Sequence, residues 1–312
     1  MKLGIGLPTS APLGSPEAIV QVAEGAERIG LASLWTFERL LRPIAPISPG
    51  PGIPPITLPA SYASVYDPLE TLSYVAARTS RIRLGTSVMD ALFHPPVVLA
   101  GRIATLDQLS GGRIDIGLGQ GLIPQEFAAA GVPMRRRGAG YEEHVAAMRA
   151  AWGPDPVRFE GRFYQIPESE IGPKPAQPGG PPLLAGAAFP AGIERVGRMG
   201  LGFNPVVMAP ELDQLRTAIT TFRQAAERAG HDPASLPVVV RVNGPVTTGP
   251  PAGERAPLTG TVAQVADDLA ELQTLELDQV FWAMDTEPDE QLHAMEQLLA
   301  QTGQRVSSAG SR

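Results

Sequence analysis

Short apolar runs alternate along this chain with stretches whose apolar positions recur every three to four residues. Residues 3–7 are a short apolar run ended by Pro8, and Ile19, Val22, Ala23, Ala26 and Ile29 then return at helical spacing. Ser15 and Pro16 stand where a capping oxygen and a first-turn proline belong, and Gly30 stands where a helix ends. Residues 33–37 read as the next strand. Asp67-Pro68 repeats the cap-plus-proline signal and opens a helix through Leu69, Leu72 and Val75. Residues 82–89 predict a strand, 96–109 a helix closed by Ser110-Gly111-Gly112, 114–118 a strand and 142–152 the core of a helix. In the second half, strands are predicted at 183–187, 203–207, 238–242 and 280–284. Helices are predicted at 191–199, 210–229, 261–275 and 289–300.

Eight strand-then-helix units imply an α/β protein with a parallel sheet. Eight in about 300 residues fit a closed (β/α)8 TIM barrel. An open doubly wound sheet is the structural alternative, but no GxGxxG fingerprint follows the first strand. Residues 1–300 are expected to form a single barrel domain, followed by a flexible tail at 301–312. Two connections exceed ordinary turns. The one at 40–66 carries prolines at 43, 46, 49, 51, 54, 55 and 59. It follows the second strand, so it is either a lid over the C-terminal face or a passive surface excursion. The other, 153–182, follows the fourth strand and includes a candidate hairpin at 157–164.

Composition narrows the chemistry. The 312 residues include 34 Gly and 33 Pro, but apolar side chains make up 43%, which argues against disorder and for many short connections. The net charge is −7, and Arg135-Arg136-Arg137 is the only basic run, so a nucleic-acid surface is not expected. The absence of cysteine removes disulfides and thiolate catalysis, and four scattered histidines make a metal site unexpected. No stretch reaches eighteen apolar residues, so a cytoplasmic protein without a membrane anchor is expected.

Barrel chemistry sits at the C-terminal ends of strands. That rule selects Thr9, then Trp35, Glu38 and Arg39, then Ser87, Met89, Asp90 and His94. It also selects Gly117-Leu118-Gly119-Gln120-Gly121, Gly186-Ala187-Ala188, Asn204, Arg241 and Asn243. The glycine run suits either close approach of backbone to a flat ring or tight packing at the rim. Small residues at 186–188, before a helix, leave N–H groups free for a phosphate, or form an ordinary turn. Few acid–base groups and many glycines suggest that a cofactor carries the hard chemistry.

Several segments together resemble the bacterial luciferase-like monooxygenase family. These are Ile82-Arg83-Leu84-Gly85-Thr86-Ser87-Val88, His94-Pro95-Pro96-Val97, Ala104 to Arg113, the run from Ile116 to Gly121, Gly161-Arg162-Phe163-Tyr164 and Pro173-Lys174-Pro175. Within it the chain is most similar to the branch that uses coenzyme F420, an 8-hydroxy-5-deazaflavin. The resemblance implies a barrel with the cofactor at its C-terminal mouth and a non-proline cis peptide at Ser87–Val88 behind the ring. Phosphate contacts would fall on Gly186, Ala187 and Ala188. Thr9, Trp35, Ser87, Val88, Met89, Gly119, Gln120 and Gly121 are expected to contact the cofactor. Arg137 and Tyr141 join them if the following helix tilts inward.

Two departures from the family stand out. Deazaflavin members often have Asp-His at the end of strand two, where this chain has Glu38-Arg39. The family's sugar-phosphate dehydrogenases carry a catalytic Glu where this chain has Leu122, which argues against sugar-phosphate oxidation. Glu38 and Arg39 are the expected catalytic pair, or else a salt bridge to each other at the rim. The expected function is hydride transfer between F420 and a small organic substrate. FMN-dependent monooxygenation is the alternative, and a non-catalytic flavin-binding or apolar-ligand barrel is the second alternative. A homodimer is an option.

Overall fold

The computed structural model describes residues 1–48, 54–207, 212–249 and 255–303. Positions 304–312 of the tail and two prolines of the 40–66 segment, at 49 and 51, therefore lie outside the described residues. The barrel strands are β1 (Lys2–Gly6), β2 (Ser33–Thr36), β3 (Arg83–Asp90), β4 (Ile114–Gly119) and β5 (Leu183–Ala185). They continue as β6, in two pieces (Gly202–Phe203 and Val206–Val207), β7 (Val239–Asn243) and β8 (Gln279–Ala283). All pair in parallel. β8 pairs with β1, and the sheet runs from there through β2, β3, β4 and β5 to the first piece of β6. On the other side, β7 pairs with β8 and with the second piece of β6. A parallel bridge between Phe203 and Val238 joins the two ends, so the barrel closes through its interrupted sixth strand.

Helices cover the outside: α1 (Pro16–Ile29), α2 (Pro68–Ala76), α3 (Pro96–Ser110), α4 (Pro124–Ala129) and α5 (Ala139–Trp152), then α6 (Pro190–Arg198), α7 (Leu212–Arg228), α8 (Val262–Glu271) and α9 (Pro288–Thr302). The caps are those the sequence offers. Ser15 accepts from Ala18 N–H, Asp67 accepts from Leu69 and Glu70, and Thr261 forms a capping box with Gln264. The short helix α4 was not expected; six residues carry too little periodicity to announce one.

The barrel interior is packed solid at the level of Trp35. Its ring stacks on Phe281 at 4.8 Å, and Leu184 and Val239 complete that layer. A Cβ at Gly85 would lie 2.3 Å from the Trp35 ring, so the missing side chain there is what admits the indole. The described parts of the 40–66 segment fold back over the ends of β1 and β2. Ile47 and Ile56 form an antiparallel bridge, Ser10 bridges Val65, and Tyr66 N–H donates to Thr9 O at 2.9 Å. In the second long connection a hairpin forms but runs longer than the expected 157–164: Val157–Glu160 pairs with Gln165–Ser169, and Glu143 accepts the N–H groups of Arg162, Phe163 and Tyr164 at its turn.

Candidate active site

The mouth is organised by a bulge in β3. Register slips against β4 between Thr86 and Met89, and the Ser87–Val88 peptide is cis, as the resemblance implies. The Val88 side chain lies against glycines: a Cβ on Gly119 would meet its methyl at 2.8 Å, one on Gly186 at 3.2 Å and one on Gly117 at 3.3 Å. These contacts are those the packing reading of the glycine run expects. These glycines accommodate Val88 and Asp90 within the wall.

Hydrogen bonds fix the bulge from three strands. Ser87 Oγ donates to Asn204 Oδ1 at 2.6 Å, and Asn204 Nδ2 donates to Val239 O at 2.6 Å. Arg241 Nη1 donates to Ser87 O, and its Nε donates to Asn243 Oδ1. From β2, Glu38 N–H donates to Val88 O at 3.1 Å.

The expected rim pair between Glu38 and Arg39 is absent; each has another partner. Glu38 Oε1 lies 2.6 Å from His94 Nε2, and Oε2 accepts from Asp90 N–H at 2.7 Å. Both its oxygens are therefore engaged inside the wall, and Glu38 is 5% exposed. Arg39 Nη1 instead meets Glu126 Oε2 on α4 at 2.8 Å, while Glu126 Oε1 accepts from Leu40 N–H. Arg39 Nε is buried without a hydrogen-bond partner among the described residues. The missing strand-two histidine thus has a counterpart: an imidazole from beyond β3 pairs with the strand-two carboxylate.

Asp90 is the remaining carboxyl. Its Oδ1 accepts Gly121 N–H at 3.0 Å, with Gly121 at φ +74°, and its Oδ2 has no hydrogen-bond partner among the described residues. Burial, with the nearby charges of Glu38 and Glu126, pushes its pKa up to about 7, against the opposing pull of Arg39 and of the Gly121 N–H. Arg137 and Tyr141 also feel its charge. His94 is desolvated, but its bond to Glu38 and that group's charge raise it above the ordinary imidazole value. Burial raises Glu126 despite Arg39 and two backbone donors. Three buried carboxyls thus share the positive charge of Arg39 and His94.

Other predicted residues divide by depth. Thr9, Ser87, Gly119 and Gly121 lie at strand ends around this cluster, and Thr9 Oγ1 is 3.5 Å from Thr36 Oγ1. Trp35, Met89 and Tyr141 are at most 1% exposed and lie inside the packed wall, Tyr141 donating to Leu118 O. They support the mouth from within it; four consecutive buried residues in β2 hide which face Trp35 takes. Gln120 Oε1 accepts from Arg195 Nη1 at 2.9 Å, and Arg137 lies nearby, its pKa lowered by partial desolvation and by Arg195. His144 is a core histidine whose Nε2 contacts His94 O at 2.8 Å, and burial lowers it to about 4. Gly186, Ala187 and Ala188 precede α6, whose N-terminus has no side-chain cap. Sequence reasoning placed Asp90, His94, Asn204 and Arg241 at strand ends without assigning them roles, and it missed Glu126 and Arg195.

An eight-stranded parallel barrel carrying a titratable cluster on its C-terminal face defines the class: a barrel enzyme. Residues 1–255 match the model of the luciferase-like monooxygenase family, and the chain belongs to that family. An uncharacterised protein of Mycobacterium tuberculosis is 32% identical over 244 residues, 78% of this chain and 84% of that protein. The F420-dependent glucose-6-phosphate dehydrogenase of Amycolatopsis mediterranei is 31% identical over 239 residues, 74% of this chain and 66% of that protein. Among solved structures, the oxygenating constituent of 3,6-diketocamphane monooxygenase from Pseudomonas putida, a type II Baeyer-Villiger monooxygenase in complex with FMN, shares the fold. Its TM-score is 0.72 at 15% identity, covering 96% of this chain and 97% of that one. Relatives and neighbours of this chain thus include users of F420 and of FMN. No described helix is long and apolar enough to cross a membrane.

Proposed function

We propose that this protein transfers a hydride between coenzyme F420 and a small organic substrate, with Asp90 handling the accompanying proton. The observation that carries this reading is Asp90 itself, a carboxyl at the mouth with one oxygen fixed by Gly121 N–H, the other without a partner, and a pKa near neutrality. Coenzyme F420, when bound, supplies a two-electron hydride donor or acceptor that reacts little with oxygen. The chain's own residues fit such a group. Val88 and its glycine wall offer a compact apolar backing, and the uncapped α6 N-terminus beside Ala187 and Ala188 suits a phosphate. Reduction of an unsaturated substrate then takes one proton from Asp90, and oxidation in the reverse direction returns one to it. Glu38 and His94 act as positioning residues. They hold the β3 end in place, and the Glu38 charge adds to burial in raising the Asp90 pKa toward neutrality.

FMN-dependent monooxygenation is the second reading, favoured by the FMN-containing neighbour of the same fold. Fluorescence titration of the purified protein with each cofactor separates the two. The expected result is micromolar or tighter binding of F420 and weaker binding of FMN. FMN binding tenfold tighter than F420 overturns the F420 reading.

A further inference from the structure

Beside the Asp90 cluster, four planar groups stand in a row. Arg39 lies over the Tyr62 ring with its guanidinium carbon 5.2 Å from the centroid, and Tyr62 contacts Phe37 at 5.5 Å between centroids. Arg241 lies over Phe37, also at 5.2 Å. The row joins the end of β2, the 40–66 segment and β7. Tyr62 thus comes to the mouth from the long segment, and all four side chains keep part of their surface open.

The two guanidiniums differ in compensation. Arg39 is paired with Glu126. Arg241 has no carboxylate within salt-bridge distance among the described residues. Its bonds go to Ser87 O and Asn243 Oδ1, and its second terminal nitrogen has no hydrogen-bond partner there. Burial, with the nearby charge of Arg39, lowers its pKa, opposed by Tyr62 and Asp285. A half-buried guanidinium beside another cation is costly unless an anion joins it. Arg39 Nε adds a second buried donor without an acceptor among the described residues. The unspent donors face a strip of aromatic surface.

We propose that this row is the substrate-binding site and that the substrate is a planar organic carboxylate. Its carboxylate meets the Arg241 guanidinium, and its flat body lies along Phe37 and Tyr62. The fork of an arginine matches a carboxylate, and ring faces favour a flat partner. The inference rests on the reading of the mouth as the reaction site. It deepens that reading by naming the substrate class.

The test uses the full chain and benzoate as the probe, with benzamide as its neutral counterpart and acetate as its small one, each followed by calorimetric titration. Benzoate should bind at least about tenfold tighter than either. Arg241→Gln should weaken benzoate about 10- to 100-fold. Arg241→Lys, which keeps the charge and guards against a folding artefact, should recover part of that loss. Tyr62→Leu should narrow the preference for benzoate over acetate. Equal binding of benzoate and benzamide, or undiminished binding to folded Arg241→Gln, overturns the proposal. A further arm separates substrate from cofactor as the source of the anion. F420 affinity should be unchanged by saturating benzoate, and direct competition would assign the row to the cofactor and overturn the substrate assignment. Failure of F420 to bind at all, with benzoate recognition intact, would instead count against the cofactor reading alone.

Discussion

Asp90 and Glu38 occupy adjacent strand ends and differ in what holds their oxygens. Glu38 is satisfied twice over by β3 and its following turn, while Asp90 is satisfied once. This difference has a stability consequence with a definite sign. Folded Asp90 keeps its proton to about pH 7, whereas an unfolded Asp releases it near pH 4. Between those values the folded state binds more protons than the unfolded state. Stability is therefore highest below the unfolded value and is lost as pH rises through the folded one. Three units of pH would correspond to roughly 4 kcal/mol as an upper bound. Asp90→Asn retains an oxygen for Gly121 N–H and removes the titration. Urea unfolding should show the variant gaining about 2–4 kcal/mol on the wild type between about pH 4 and about pH 8. A pH-independent difference would show that Asp90 ionises normally in the fold. The same variant should lose most turnover once a substrate is in hand, about 100-fold or more for a lost general acid. Little of this pairing is legible in the sequence. Strand-end position marks Glu38, Asp90 and His94, but the Glu38–His94 contact spans 56 residues, and no periodicity links them.

At the scale of elements, the readable features are those with local causes. Proline at the first turn, Ser, Thr and Asp caps and left-handed glycines at helix ends announce α1, α2, α3, α8 and α9 within a few residues. The β3 bulge has no comparable local signal; it follows from the glycines on β4 and after β5 that leave room for Val88. Gly119→Ala tests that dependence. Its Cβ would fall 2.3 Å from Asp90 Oδ1, so either the carboxyl or the bulge must move. A loss of about 1–3 kcal/mol is expected on thermal or urea unfolding. Unchanged stability would mean the wall yields at no cost. The α6 N-terminus carries a separate expectation. Ala187→Asp sets a carboxylate beside the proposed phosphate donors and should weaken F420 binding at least about tenfold in a folded variant. Undiminished affinity would move the phosphate to another element, and the Arg137–Arg195 side of α6 would be the next place to look.

The whole barrel depends on how its sixth strand is interrupted. The alternation of runs predicts eight strands, and an unbroken strand at 203–207 is the natural reading of Phe203 to Val207. The structure instead divides it at Asn204-Pro205, because Pro205 has no N–H to give to the ladder. Only two residues pair on each side, so side chains supply part of the closure. Asn204 is 1% exposed and spans the gap, accepting from Ser87 on β3 and donating to Val239 O on β7. It therefore ties the closing seam of the barrel to the bulge that shapes the mouth. Asn204→Ala would leave a buried hydroxyl and a buried carbonyl without these partners. Each such orphan costs about 1–3 kcal/mol, and the pair should lower global stability by about 2–5 kcal/mol. Asn204→Asp keeps an acceptor for Ser87 Oγ but sets a buried carboxylate oxygen against Val239 O. It should be at least as damaging above neutral pH and milder under acid, where protonation restores a donor. Denaturant titrations of both variants at two pH values would measure this. If Asn204→Ala unfolds at the wild-type midpoint with the same slope, the seam is held by the backbone bridge at Phe203–Val238 and not by the side chain. If its midpoint falls while F420 affinity also drops, closure of the barrel and the shape of its mouth are one mechanical unit.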